Sequence, residues 1–217
     1  SKCLETVIAH QLNDHIKSLN LNNAYQSAYR ANHSTETALL HVSSEILKGL
    51  DCGQSVFLVL LDLSAAFDTI NHQILLKRLK HDFFIEGTAL NWFASYLTKR
   101  SFKIKLDSGL SSSHLLKYGV PQGSVLGPLL FSLYTAPLLK IFEHHNVRVH
   151  FYADDTQFWI PFESNNPESE HQARLKISEV FSDISKWMFE NHLQLNNDKT
   201  VFLPISRQKK FNEFSSL

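Results

Sequence analysis

Cysteine is nearly missing from this chain of 217 residues: Cys3 and Cys52 are the only two, far apart and in no CxxC or Cys/His cluster. A disulfide framework is thereby excluded, a zinc site is not indicated, and a reducing compartment suits such a chain. An excess of charge of either sign is missing as well. Lys plus Arg and Asp plus Glu both number 21, so no global positive field advertises nucleic acid, and any basic groove must be local. Long apolar runs are also lacking. A membrane span needs roughly 20 unbroken apolar residues, whereas the longest candidate, 125–142, is interrupted by Pro128, Ser132, Thr135, Pro137 and Lys140. No secretory signal pattern is present. What remains is a 43% hydrophobic content, enough to bury a core in one large domain or two small ones.

The apolar residues fall into readable periods. Leu4, Val7, Ile8, Leu12, Ile16 and Leu19 share one helical face, and Leu39, Val42, Ile46 and Leu50 repeat that spacing, so two amphipathic helices are expected. Between them, residues 23–37 form a polar loop dotted with aromatics, in which Ser34 or Thr35 can cap the second helix. Residues 55–61, SVFLVLL, suit a strand buried on both faces, and that run ends at Asp62. Residues 72–100 predict two helices, and 102–120 a hairpin in which a serine-rich loop at 108–113 separates Phe102, Ile104 and Leu106 from LLKYGV. A second hairpin over 147–160 carries Asp154 and Asp155 at its turn. A long helix is expected at about 171–192, and a strand near 200–205 is weakened by Pro204. Antiparallel hairpins mixed with helices predict an α+β domain. No internal repeat is visible.

Asp62, Asp154 and Asp155 are the candidate chemistry. Two carboxylates about 4 Å apart repel by on the order of 4 kcal/mol at an effective dielectric near 20, so a site that gathers three calls for a cation. Oxygen ligands favour Mg²⁺, with Mn²⁺ as the alternative, and two such ions suit phosphoryl transfer. Neighbours in a strand point to opposite faces, so Asp154 and Asp155 cannot both aim at Asp62 unless the turn twists them. Asp154 is expected to be the direct partner. An Asp-Asp pair by itself is more readily a solvated hairpin turn, where Asp is common anyway.

Six ordered blocks decide between those readings: QSAYRANHSTETALL (26–40), LVLLDLSAAFDTINHQILLKRL (58–79), ALNWFASYLTKR (89–100), GVPQGSVLGPLLFSLY (119–134), FYADD (151–155) and WMFENHLQLNNDKT (187–200). In this order they closely resemble the reverse transcriptases of non-LTR retrotransposons, the long-interspersed-element type, over about residues 4–203. The resemblance implies a right-hand polymerase palm, an antiparallel sheet with packed helices, together with partial fingers and no thumb. On that plan the fingers occupy 1–54, the palm 55–206 with an insert at 72–118, and a tail 207–217. One departure stands in the fingers block, which reads Gln26-Ser27-Ala28-Tyr29-Arg30 where the family usually has Gly-Phe before the arginine.

The resemblance also implies site roles. Asp62, Asp154 and Asp155 would hold two Mg²⁺ ions. Phe67 would collide with a ribose 2′-hydroxyl and so select deoxynucleotides; core packing is its structural alternative. Pro121, Gln122 and Gly123 resemble the loop that touches the template base and the incoming nucleotide, where glycine permits close approach and the glutamine amide both donates and accepts. Lys199 would neutralise the triphosphate or give pyrophosphate a proton, unless it is a solvated surface lysine. Arg30 would contact the triphosphate or template, unless it is a plain loop arginine. Tyr152 packs near the primer end, while Asp68 and Asn71 suit helix capping.

The implied partners are an RNA template, a DNA primer and deoxynucleoside triphosphates, with no membrane. The implied setting is intracellular, nuclear with a cytoplasmic ribonucleoprotein stage. Two other readings stay open: a truncated, catalytically inactive nucleic-acid-binding remnant, and another palm-fold nucleotidyl transferase or cyclase.

Overall fold

The buried run at 55–61 becomes a central strand of the chain, whose computed structural model describes residues 2–98, 100–106, 109–121 and 123–208. In chain order the elements begin with α1 (Lys2–Ser18), α2 (Thr35–Asp51), β1 (Gln54–Leu61), β2 (Leu63–Ser64), α3 (His72–His81) and α4 (Gly87–Leu97). The short strands β3 (Ser101–Phe102), β4 (Lys105–Leu106), β5 (Gly109–Leu110) and β6 (His114–Leu115) follow. The chain continues through α5 (Gly127–Thr135), α6 (Leu139–His144), β7 (Arg148–Tyr152), β8 (Asp155–Glu163), α7 (Pro167–Glu190), β9 (Gln194–Leu195) and β10 (Val201–Ile205). Antiparallel sheet and helices are thus mixed, as the α+β expectation has it. Among the described residues no helix is long and apolar enough to cross a membrane.

Two units divide these elements. The first comprises residues 1–22, 65–136 and 191–193, the second 23–64, 137–190 and 194–217.

The second unit is built on a four-stranded antiparallel sheet in the order β10-β1-β8-β7. Alternation along β1 sends Val56 and Leu58 to one face, where they join Val42 and Ile46 of α2 and Trp159 of β8 in a buried cluster. Phe57 goes to the other face and stacks on Phe162 at 4.3 Å, with the Arg174 guanidinium of α7 4.8 Å above its ring. Phe142 of α6 covers Phe151 and Phe158 on the same side. A central strand packed on both faces has no polar side to show, which is why its sequence is an unbroken apolar run.

Both edges of this sheet are managed locally. Pro204 sits in β10, an edge strand, the part of a sheet that tolerates proline. At the β7 edge, Phe151 donates its N–H to the Tyr25 carbonyl (2.8 Å) and accepts at its own carbonyl from Ser27 (3.0 Å), so residues 25–27 run alongside as a short parallel strip.

The first unit is helical. Leu75 and Leu79 of α3, Phe93 and Leu97 of α4, and Leu130 and Phe131 of α5 are buried. His15 of α1 donates from Nε2 to the Phe83 carbonyl at 2.7 Å. Between α4 and α5 the chain makes a ribbon of two short ladders, β3 with β6 and β4 with β5.

Helix ends follow cap chemistry. Ser34, not Thr35, caps α2 in a reciprocal box with Thr37. Asn71 caps α3 by accepting from the N–H groups of Gln73 and Ile74, and Asp68 lies in the turn ahead of it. Helix α7 starts four residues earlier than its apolar period predicts. Asn166 accepts from Glu168 and Ser169 there, Pro167 occupies the first helical position, and Glu168 and Glu170 face the positive end of the dipole. The tail expected from 207 lies, from 209 onward, outside the described residues.

Candidate active site

All three candidate carboxylates belong to the second unit, and strand register sets where they stand. Strand β1 pairs with β8 up to Leu61 opposite Thr156, so one step further Asp62 stands across from Asp155. Tyr152 pairs with Asp155, which leaves Ala153 and Asp154 as a two-residue turn, with Ala153 at φ +58°. The turn therefore separates the two neighbours: Asp154 sits in the bend and Asp155 opens β8, so by register Asp155, and not the expected Asp154, is the residue opposite Asp62. Burial, and after it the charges of Asp154 and Asp62, holds the Asp155 carboxyl above the usual carboxylate range.

A second short pairing fixes Asp62. Leu63 faces Leu195 and Ser64 faces Gln194, so the same register brings Asn196 opposite Asp62. Asn196 donates its backbone N–H to the Asp62 carbonyl (2.9 Å) and its side-chain Nδ2 to Oδ2 (3.0 Å). The Asn196 carbonyl then accepts from Lys199 and Thr200, a turn that brings Lys199 Nζ to 3.8 Å from the same Oδ2. Sequence reasoning singled out Lys199 but not Asn196, whose importance depends on pairing register and leaves no local signal.

The loop beside β7 supports the aspartate turn. Gln26 Oε1 accepts from the N–H groups of Ala153 (3.2 Å) and Ala28 (2.9 Å). This glutamine also escaped the sequence reading as a site residue. Burial first, then the charges of Asp154 and Tyr152, pushes the Tyr29 phenol up, and Tyr29 itself holds φ +59°. The Arg30 guanidinium donates from Nη1 to the carbonyls of Asn23 (3.3 Å) and Gln26 (3.5 Å), an arginine that clamps its own loop. Tyr152 is half-buried at the end of β7.

The remaining candidates lie in the first unit. Phe67 is half-buried with its ring 4.9 Å from that of Phe131, so the packing role foreseen as its alternative is present. Its carbonyl accepts from Val120 (2.9 Å), and Gly119 donates to Ile70 (2.8 Å), which ties the segment around Pro121 and Gly123 to the turn that carries Phe67. A Cβ on Gly119 would lie 2.9 Å from the Asp68 carbonyl oxygen, so only glycine fits that approach. Glu5 of α1, buried, accepts at Oε2 from the N–H of Val125 at 2.9 Å. Gln122 lies outside the described residues.

An oxygen-only, acidic and mutually repelling donor set fits a hard divalent ion in kind. As the side chains stand, no three His, Cys, Asp or Glu groups among the described residues are arranged to hold one, and Oδ2 of Asp62 is engaged by Asn196 and Lys199.

A family model described as reverse transcriptase (RNA-dependent DNA polymerase) matches residues 1–212. The chain belongs to that family. Among curated relatives, this reverse transcriptase domain is 30% identical over 206 residues to a probable RNA-directed DNA polymerase from the Drosophila melanogaster transposon BS, covering 93% of the chain and 22% of the relative. It is 29% identical over 202 residues to the corresponding protein of the X-element of the same fly, covering 92% and 22%. The chain thus spans about a fifth of the length of these non-LTR retrotransposon proteins. Among solved structures, telomerase from Candida albicans in complex with a fragment of telomeric RNA aligns with a TM-score of 0.66 at 15% identity, covering 98% of this chain and 36% of that one. Apo telomerase from Candida tropicalis, truncated from its C-terminal domain, aligns at 0.63 and 14%, covering 97% and 42%. The reverse transcriptase domain and these telomerases share a fold.

Proposed function

We propose that this domain is the catalytic part of an RNA-directed DNA polymerase that adds deoxynucleotides to a primer 3′-hydroxyl on an RNA template. The observation that carries the reading is the register that sets Asp62 across from Asp155 beside the Asp154 turn, three carboxylates on adjacent strand ends. In this reading residues 55–206 act as the palm, with an insert at 72–118, and residues 1–54 contribute to the fingers.

In the reaction the primer 3′-hydroxyl gives up its proton to solvent as its oxygen bonds to the α-phosphorus, the bond from that phosphorus to the bridging oxygen breaks, and pyrophosphate leaves. Asp62, Asp154 and Asp155 would hold Mg²⁺, which would neutralise phosphate charge. Lys199 supplies a cation beside Asp62 and can give a proton to the leaving pyrophosphate. Asn196 holds Asp62 in place, and Gln26 holds the turn of Asp154. Phe67 excludes the ribose 2′-hydroxyl, while Pro121, Gln122 and Gly123 meet the template base and the nucleotide. Arg30 contacts the triphosphate from its clamped loop, and Tyr152 supports the primer end.

Primer extension on an RNA template with Mg²⁺ tests the proposal. Asp154→Asn is expected to lower incorporation by about 10³-fold, the scale of several kcal/mol of lost charge stabilisation. Equal incorporation by both proteins would sink it. RNA binding with no incorporation under Mg²⁺ or Mn²⁺ would replace it with a binding module.

A further inference from the structure

Glu5 is a buried acid that forms no ion pair among the described residues. It is 7% exposed on α1, and its Oε2 accepts instead from the Val125 N–H (2.9 Å) and from the Tyr96 hydroxyl of α4 (3.3 Å). A carboxylate taken out of water is costly unless donors meet it, and an apolar side chain would bury there more cheaply. The acid therefore marks a segment that has to be held.

That segment leads into α5. Ser124 donates its N–H to the Pro121 carbonyl (3.1 Å), which closes the turn that contains Gly123 at φ +72°. Ser124 Oγ accepts from the Gly127 N–H (3.0 Å) at the start of α5 and donates to the Tyr96 oxygen. A single relay thus runs from the Gly127 N–H through the hydroxyls of Ser124 and Tyr96 to the Glu5 carboxylate, which also takes the Val125 N–H; every donor meets an acceptor. Tyr96 is itself fixed, with its ring stacked on Trp92 at 5.3 Å and the Arg100 guanidinium 5.3 Å from its centre. At the other end, the N–H groups of Gly119 and Val120 tie the segment to the turn that carries Phe67. The Pro121–Gly123 turn is strung between these two anchors, and its Gly123 side is open, since a Cβ there would meet nothing within 4 Å.

We infer that Glu5 and Tyr96 are positioning residues: with Ser124 they clamp the Pro121–Gly123 turn and thereby set the affinity for the incoming deoxynucleotide. The nucleotide half of this inference rests on the polymerase reading; the clamp itself does not. Both residues act through the turn and not on the reacting atoms. Loosening the clamp removes binding and leaves the chemistry at the carboxylates unaltered, which predicts a split between KM and kcat.

Steady-state primer extension by the whole chain on an RNA template, with the deoxynucleotide varied, tests the split. Glu5→Ala is expected to raise KM for the nucleotide about tenfold with kcat within about twofold. Tyr96→Phe deletes one hydroxyl and keeps the ring stack, and is expected to raise KM about threefold. Glu5→Gln still offers an amide oxygen to the Val125 N–H and is expected to recover most of the parent's KM. A residue that merely braced the fold would lower the urea midpoint and leave KM alone; that result in Glu5→Ala, or a fall in kcat at constant KM, overturns the inference. Should Glu5→Ala not fold, Tyr96→Phe decides by the same criterion. Hydrogen exchange over residues 119–127 reads the clamp without turnover, and exchange at the Val125 amide is expected to quicken about threefold or more in Tyr96→Phe at an unchanged midpoint. Unchanged exchange overturns the clamp. A parent with no incorporation sinks the polymerase reading and the nucleotide half with it, while faster exchange in the variant then still upholds the clamp, so the two failures are read separately.

Discussion

His150 is 5% exposed on β7, and neither of its ring nitrogens has a hydrogen-bond partner among the described residues. Burial first, then the nearby His41 and His33, lowers its pKa to about 4. The His41 ring lies 5.3 Å away, so a proton on one imidazole is felt by the other. The sign follows from linkage. The unfolded chain takes up this proton near 6.5 and the folded chain only near 4, so the stabilisation is complete above the unfolded value and is lost as pH falls from there. About 2 kcal/mol of stability is expected to disappear between about pH 7 and 5 on this account. Urea unfolding at the two pH values checks it, with His150→Phe flattening the dependence; an equal dependence in the variant would show that other groups carry it. Lys199 illustrates the opposite case. Its pairing with Asp62 is largely exposed and contributes little to stability, so its value lies in the charge it brings to the site.

At the scale of elements, the turns decide where site residues point. Gly119 at φ +84° has backbone oxygens of Asp68 and Phe67 at 2.9 and 3.0 Å from a would-be Cβ, whereas Gly123 at φ +72° has nothing within 4 Å. Gly119→Ala is therefore expected to cost about 3 kcal/mol and Gly123→Ala about 1, the first from clash plus strain and the second from strain alone. Chemical denaturation of the two variants tests that order, and a reversed order would refute it. Most elements were legible because they obey a period: the runs behind α1, α2, β1, β7 and β8 reach the structure nearly intact. Asp62, Asp154 and Asp155 were legible because acids at the end of an apolar strand and at a hairpin turn stand out against their surroundings. Asn196, Gln26 and Glu5 were not, because each acts through a partner more than 100 residues away in sequence. The first turn of α7 was missed for another reason, since Pro167 and Glu168 mark a helix start by dipole and backbone shape and not by apolar spacing.

For the whole molecule, the ionised Asp155 carboxyl is a cost to folding, set by burial and by the charges of Asp154 and Asp62. The Asp155 pKa is raised, so its contribution to stability is present below the ordinary carboxylate value and is lost as pH rises through the higher folded value. At neutral pH the protein therefore carries the cost of a partly desolvated carboxylate that also stands near the charges of Asp154 and Asp62. Asp155→Asn is expected to melt higher than the parent without divalent ions and to gain less from millimolar Mg²⁺, because an ion that binds only the folded state stabilises by mass action. Thermal melts with and without Mg²⁺ measure both; a parent protein that ignores Mg²⁺ would count against the ion being held at these residues.

The strip at residues 25–27 has a consequence for solubility. A sheet with open rims invites other chains to add strands, and here Pro204 blunts one rim while Tyr25 and Ser27 occupy the other. Peeling that strip away would expose the N–H and carbonyl of Phe151 as a template for growth between molecules. The segment that steadies the aspartate turn through Gln26 is thus also a guard against fibrous assembly.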